Sequence, residues 1–363
     1  MARRYDSPDL SAFFSSTDPK SVTCSSSTLS RFTRQFSVLL NAGIPMHEAL
    51  ESLMRVQSDS LSLWVTPEIC KRVTLGHRLS TSVAQFPRVF PATYVALVRA
   101  SEETGKLVLV LNRLSDWLDR REKIERHVKK ALTYPLLVLV TAIILTLGLF
   151  RTVIPGILDT VTGLNVELPW PTLLLLAAVR FIEQPLSWLL LALICIAALM
   201  YARSEQGWKR LVIVSLSVPL TGPILVQSSS SRYAHTMSML IEAGVDIIRA
   251  AKISADASAN PLIQQDAVRV TKELREGSYF SDVLASSPLY PTLLVDMIRV
   301  GDESGRMAAL IRRCGEMMEE ETMHKVDVFL NLLEPIVLAA ISAVVGFIVI
   351  AVLMPMSSLV SAL

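Results

Sequence analysis

From Ala131 to Phe150 the chain runs without one charged residue. About twenty such residues are what a helix needs to cross roughly 30 Å of hydrocarbon. The run continues to Ile154, with Arg151 near its far end, and predicts a spanning helix over 131–154. Two more stretches read the same way. One covers 185–202, where Trp188 and Tyr201 stand at the depth of interfacial aromatics. The other covers 335–355 and includes Ile336, Val337, Leu338, Val344, Phe347, Ile348, Ile350, Val352 and Met354, leaving a short tail at 356–363. The bulk composition agrees: with 51% hydrophobic residues, 19% charged residues and a mean hydropathy of +0.46, the chain is too apolar for an ordinary soluble domain. A net charge of +2 calls for neither nucleic acid nor a strongly acidic substrate. Cys24, Cys70, Cys195 and Cys314 are far apart and form no CxxC pair, so free thiols are expected.

Basic residues set the orientation. Arg120, Arg121, Lys123, Arg126, Lys129 and Lys130 crowd the near side of the first span, which makes that side cytoplasmic. Residues 1–30 are polar, serine-rich and without an apolar core of signal-peptide length, and they read as a flexible segment starting in the cytoplasm. The connection 155–184 carries Asp159, Glu167 and Glu183 against Arg180, whereas Arg203, Lys209 and Arg210 follow the second span. The predicted order is inside, outside, inside, outside: a multi-pass protein with a periplasmic connection and a periplasmic tail.

The parts outside the spans match each other. Phe36-Ser-Val-Leu-Leu-Asn-Ala-Gly43 corresponds to Met237-Ser-Met-Leu-Ile-Glu-Ala-Gly244 at an offset of 201. Pro91, Arg99, Glu103, Gly105 and Pro135 correspond to Pro291, Arg299, Glu303, Gly305 and Pro335 at an offset of 200. A slip of one residue over that distance indicates duplication. Each copy reads as helices, since Phe32, Phe36, Leu39 and Leu40 share one helical face, as do Tyr233, Met237, Leu240 and Ile241. Gly43 and Gly244 suit the end of the first helix, Pro45 the start of the next, and Gly76 and Gly277 a second break. The expected fold is an all-α membrane protein with two homologous cytoplasmic helical bundles, 31–130 and 203–334, and three transmembrane helices. A long helix closes each copy, from about Lys106 toward Lys130 and from Arg306 toward Asp327.

Several segments carry a family likeness in this order: Phe32-Thr-Arg-Gln35, Ala42-Gly43-Ile44-Pro45, Ala131-Leu-Thr-Tyr-Pro135, Leu168-Pro-Trp-Pro-Thr172, Gly301-Asp-Glu-Ser-Gly305 and Leu333-Glu-Pro335. Over about Arg31 to Pro355 the chain resembles the inner-membrane platform proteins of type II secretion and type IV pilus machines. It departs from the family pattern at Ser101, where the turn usually begins with glycine. The resemblance implies a non-enzymatic protein of the bacterial inner membrane that couples a cytoplasmic hexameric ATPase to assembly of pilin-like subunits, and so to protein secretion. Other inner-membrane components of the machine would be its neighbours, and the duplicated surfaces suit a homo-oligomeric hub. Secretion and pilus assembly both use this pattern, and the residues do not choose between them.

Residue by residue the same division of labour appears. No GxxxxGK[ST] loop, HExxH pair or GxSxG elbow occurs, and no cofactor or metal is expected. Glu103 and Glu303 lie four residues after Arg99 and Arg299, a spacing for a helix-surface ion pair. With Gly105 and Gly305 they are also candidates for turns that orient the long helices and contact a partner. Gly43 and Gly244 are candidate structural turns, and Pro135 and Pro335 stand where each copy meets the membrane, able to start or kink a span. The run Glu316, Glu319, Glu320 and Glu321 reads as a solvated face, and the basic run before the first span as a contact for anionic lipid head groups. A polytopic transporter with duplicated halves is the alternative, yet the spans carry almost no ionisable residue at mid-depth.

Overall fold

The computed structural model describes residues 23–56, 61–152, 169–218 and 221–362, and every regular element among them is a helix. The first copy forms α1 (Ser26–Asn41), α2 (Met46–Val56), a π-helical turn at Leu61–Val65 running into α3 (Thr66–Thr74), α4 (Leu79–Val83), α5 (Ala92–Thr104) and α6 (Leu107–Thr152). Then come α7 (Trp170–Glu183), α8 (Pro185–Arg203) and α9 (Glu205–Ser217). The second copy repeats the order with α10 (Gly222–Glu242), α11 (Ile247–Ala257), α12 (Pro261–Arg275), α13 (Phe280–Ala285), α14 (Thr292–Ser304) and α15 (Met307–Ala362). Contacts divide the chain into two compact units. One holds the residues up to Glu125 together with Thr221–Thr322, and the other holds Arg126–Leu220 with Met323–Leu363.

Matching backbone turns give the first unit its duplicated form. At the end of α1 the Gly43 N–H donates to Leu40 O (3.0 Å) and the Ile44 N–H to Leu39 O (3.2 Å). At the end of α10 the Gly244 N–H donates to Ile241 O and the Val245 N–H to Leu240 O, both at 2.9 Å. This crossed pair of bonds closes a helix only if the residue after the cap is left-handed, and φ is 81° at Gly43 and 84° at Gly244. Gly105 and Gly305, with φ of 72° and 67°, end α5 and α14 in the same conformation, so α6 and α15 start at equivalent places.

Inside the first unit the apolar faces read from the sequence turn inward. Phe32 and Phe36 are buried, with ring centroids 5.8 Å apart, and Phe90 lies 5.0 Å from Tyr94. Each such aromatic withdrawn from water stabilises the unit by about 1.5–3 kcal/mol. The second copy is built around Tyr233 and Tyr290, whose centroids are 5.6 Å apart, with Met237, Leu240 and Leu294 buried beside them. Cys70 and Cys314 are buried free thiols, and burial pushes the Cys314 thiol up to about 12.

The second unit has the opposite character. Leu136, Leu137, Ile143, Ile144 and Leu145 of α6 are exposed, as are Ile336, Leu338, Val344, Ile350 and Leu353 of α15. Leu107–Gly148 and Met307–Ala351 are long and apolar enough to cross a membrane; their early turns pack in the first unit, while the most apolar 18-residue stretch of each is almost wholly exposed. Ala192–Arg203 of α8 is a shorter apolar stretch with the same exposure. Near Ala142 and Ala340 an open cleft of about 240 Å³ separates α6 from α15, with Leu139, Ile143 and Ile341 on its walls.

Three readings change. Residues 26–30, assigned to the flexible segment, belong to α1: Ser25 caps it by accepting from the Thr28 N–H (3.2 Å), and Leu29 and Ser30 are buried. The serines that read as loop are cap and packing residues; residues 1–22 lie outside the described residues. Within 155–184, Trp170–Glu183 is the helix α7, tied to α15 by the Thr172 hydroxyl donating to Ala351 O (2.8 Å) and by Trp170 beside Phe347; residues 155–168 lie outside the described residues. Helix α9, assigned to the second cytoplasmic bundle, belongs to the unit that holds the exposed apolar helices: it packs on α8, and its Leu211, Ile213 and Val214 are exposed. Pro135 and Pro335 both lie inside continuous helices, where each removes one backbone donor without ending the helix.

Candidate functional site

In the first unit the two copies share one apolar core, and a line of charged side chains along α6 crosses between them. Along α6 the bases Lys106, Arg113 and Arg120 recur every seven residues, a spacing that keeps them on one helix face. Lys106 Nζ donates to the carbonyl oxygen of Glu242 (2.9 Å), and Arg113 Nε donates to Glu242 Oε2 (2.9 Å). Arg120 Nη1 donates to Glu316 Oε1 (3.3 Å), and its Nε lies 3.7 Å from Glu319. Glu242 is the last residue of α10, where the helix dipole disfavours an anion, so Arg113 and Arg312 (3.6 Å) together compensate a poorly placed carboxylate. One heptad beyond Arg120, in the second unit, His127 Nε2 lies 2.6 Å from Asp327 Oδ1.

The predicted turn residues behave differently in the two copies. Glu103 does not pair with Arg99. It receives two hydrogen bonds from Arg249 on the first turn of α11, at 2.5 and 3.3 Å. The Arg249 bonds hold the Glu103 carboxyl below its ordinary range, and Glu103 in turn raises the guanidinium. Arg299 likewise leaves Glu303 and lies near Asp282 (4.0 Å) and Asp296 (3.9 Å). Glu303 instead lines an open cleft in the second copy. Of the acidic run, Glu316 and Glu319 serve the contact between copies, and Glu321 accepts from Gln227 (2.6 Å). Burial alone would raise the Glu316 carboxyl, but the Arg313 hydrogen bond and the charges of Arg120 and Arg312 outweigh it and hold it low. In the basic run, Arg120 is committed to these acids and Arg121 to Glu125 (3.3 Å), while Lys123, Lys129 and Lys130 stay exposed. Sequence reasoning missed this seam; the seven-residue spacing of Lys106, Arg113 and Arg120 was its visible sign. Among the described residues no group of three or more His, Cys, Asp or Glu side chains is set to hold a metal.

Each copy, from its first helix through its long apolar helix, has a match among known proteins. The profile of the family described as type II secretion system (T2SS), protein F, fits the chain twice, over 32–155 and over 233–355. The chain belongs to this family. The two matched stretches begin in α1 and α10 and reach residues 155 and 355, so each takes in a set of short helices and the long helix with an exposed apolar part that follows them. Among similar proteins, the type II secretion system protein F of Vibrio cholerae is 28% identical over 90% of this chain and 81% of its own. The type IV pilus assembly protein PilC of Pseudomonas aeruginosa is 25% identical over 90% of this chain and 88% of its own. The type 4 fimbrial assembly protein PilC of Pseudomonas putida is 29% identical over 90% and 82%. Family membership and the exposed apolar helices together describe a membrane component of the type II secretion and pilus assembly class.

Proposed function

We propose that this chain is the inner-membrane platform of a type II secretion or type IV pilus-like machine, and that it couples a cytoplasmic assembly ATPase to assembly of pilin-like subunits. It acts as a multi-pass, non-enzymatic protein with its N-terminus in the cytoplasm. Spans at 131–154, 185–202 and 335–355 follow from the apolar runs, and cytoplasmic bundles from α1 to about residue 130 and from α10 to about residue 334 from the repeat and the basic flanks. Its partners are the ATPase, other inner-membrane components of the machine and further copies of itself in a homo-oligomer.

One observation carries this reading: two equivalent bundles, locked by the α6 seam, each continue without a break into an apolar helix through Pro135 or Pro335. A force applied to the bundles therefore reaches the bilayer along continuous helices. In this scheme Gly43, Gly244, Gly105 and Gly305 are structural turns that aim those helices, and Lys123, Lys129 and Lys130 contact anionic head groups. Deleting the gene and measuring protein secretion and surface pili tests the proposal. Loss of either output is expected, and retention of both overturns it.

A further inference from the structure

The duplication supplies twice what the contact between the copies uses once. Glu103, at the end of α5, grips Arg249 on the first turn of α11. The equivalent end of α14 presents Glu303, which has neither an ion-pair nor a hydrogen-bond partner among the described residues. Around Glu303 lies an open cleft of about 480 Å³ lined by Tyr279, Ser281, Asp282, Arg299, Asp302 and Glu303.

The open cleft is also more acidic than its occupied counterpart. Asp282 and Tyr279 stand where the first copy has Thr81 and Arg78, which replaces a hydroxyl by a carboxylate and removes a cation. In the first copy Glu102 is engaged in capping α4, accepting from the Leu79 N–H (2.6 Å) and the Ser80 N–H (3.1 Å). Its counterpart Asp302 is one methylene shorter, is exposed, and makes no such bond among the described residues. Asp302 and Glu303 together therefore offer two uncommitted carboxylates where the first copy offers Glu103 alone.

A second copy of this chain does not fit there in the same way. The position of the first copy that corresponds to Arg249 is Glu48, exposed and 3.8 Å from His47. Head-to-tail docking that mimics the internal contact would bring Glu48 against Glu303 and Asp302, and like charges across an interface are strongly unfavourable.

We propose that this cleft receives a basic side chain, arginine or lysine, from the opening turn of a helix in another protein of the same machine. Glu303 and Asp302 would hold it as Glu103 holds Arg249. The inference rests on the platform reading and names the chemistry of one partner surface.

The test uses the full chain with Asp302→Arg and Glu303→Arg together, expressed in its own cells at the wild-type membrane level. Secretion or surface pili should fall by about tenfold or more, the scale of setting like charges across an interface. An acidic substitution of an arginine or lysine in another component should restore them. If the level of the double variant drops, Asp302→Asn with Glu303→Gln replaces it and is expected to lower output several-fold.

Unchanged output from a variant at normal level overturns the cleft proposal. So does increased self-association of the purified variant with output retained, because arginines facing Glu48 would tighten a contact between copies. Loss of output on gene deletion alongside either result leaves the platform reading standing. Intact output after gene deletion overturns that reading itself.

Discussion

In the first copy Arg34 of α1 reaches Asp116 (3.0 Å) and also Asp119 of α6, so one guanidinium covers two carboxylates. In the second copy the equivalent residue is His235 of α10, which is buried and whose Nε2 lies 3.1 Å from Glu319. Glu316, the counterpart of Asp116, pairs instead with Arg313 of its own helix and with Arg120 of the first copy, each at 3.3 Å. The residue matching Arg120 in the second copy is Glu320, which cannot return the favour to Asp116 and Asp119. The Arg120 bond between the copies therefore has no counterpart running from Glu320 back to Asp116 and Asp119. Duplication kept the backbone turns, while substitution of a few side chains made the contact unequal.

The largest expected effect comes from breaking the seam at its most shared carboxylate. Glu242→Lys would set a fourth cation beside Lys106, Arg113 and Arg312 in a site where Glu242 is only 17% exposed. It should destabilise the first unit by about 3 kcal/mol or more, the scale for leaving partly buried charges unpaired. A lowered thermal midpoint of the purified protein, with hydrogen exchange increased along α6 and α10, checks it. Next comes a steric difference between the copies. A Cβ on Gly301 would lie 2.7 Å from the Met307 Cα, a backbone atom that cannot swing aside, whereas Ser101 occupies the same position in the first copy. Gly301→Ser should cost about 1–3 kcal/mol by overpacking, and Ser101→Gly less. Gly315→Ala should fall between them, because its nearest neighbours at 3.3 Å are side-chain atoms of Ala234 and His235. Unfolding midpoints of the three variants give that order or refute it.

These differences also show what could be read beforehand. The helical class, the apolar runs and the glycine breaks were legible because each follows from local rules: charge-free length, a period of 3.6, and positive φ. The start of α1 was missed because Ser25 and Ser30, a cap and a packed small residue, look like loop composition in the chain. Helix α7 was missed because a stretch between two apolar runs reads as a connection. Glu103 was assigned to Arg99 four residues earlier, since spacing along one helix is visible in a sequence and a partner 146 positions away is not. The α6 seam depends on how α6 meets α10, α11 and α15, and only the seven-residue spacing of its bases hinted at it.

Acid should loosen the same contact without any substitution. Glu316 has its carboxyl held below the ordinary 4.5 by Arg313, Arg120 and Arg312 against the opposing pull of burial. A depressed carboxyl contributes stability that is fully present above its unfolded value and is lost as pH falls through its folded one. Protease cleavage between α6 and α15 should therefore rise only below about pH 4.5. Glu316→Gln should remove most of that dependence; if the profile of the variant matches wild type, Glu316 is not its source.

The smallest expected effect separates the two turns most sharply. Glu103 is exposed and its bond to Arg249 is open to water, so Glu103→Ala should change the stability of the first unit only slightly, as surface ion pairs generally do. Glu303→Ala removes a side chain with no partner among the described residues and should change stability no more. Function divides them: Glu103→Ala weakens a tie that Arg113 and Arg120 also provide, so secretion or piliation should persist. Glu303→Ala removes half of a paired-carboxylate cleft and should lower output several-fold at equal protein level. The reverse pattern, a silent Glu303→Ala and a defective Glu103→Ala, would move the partner surface from the second copy to the contact between the copies.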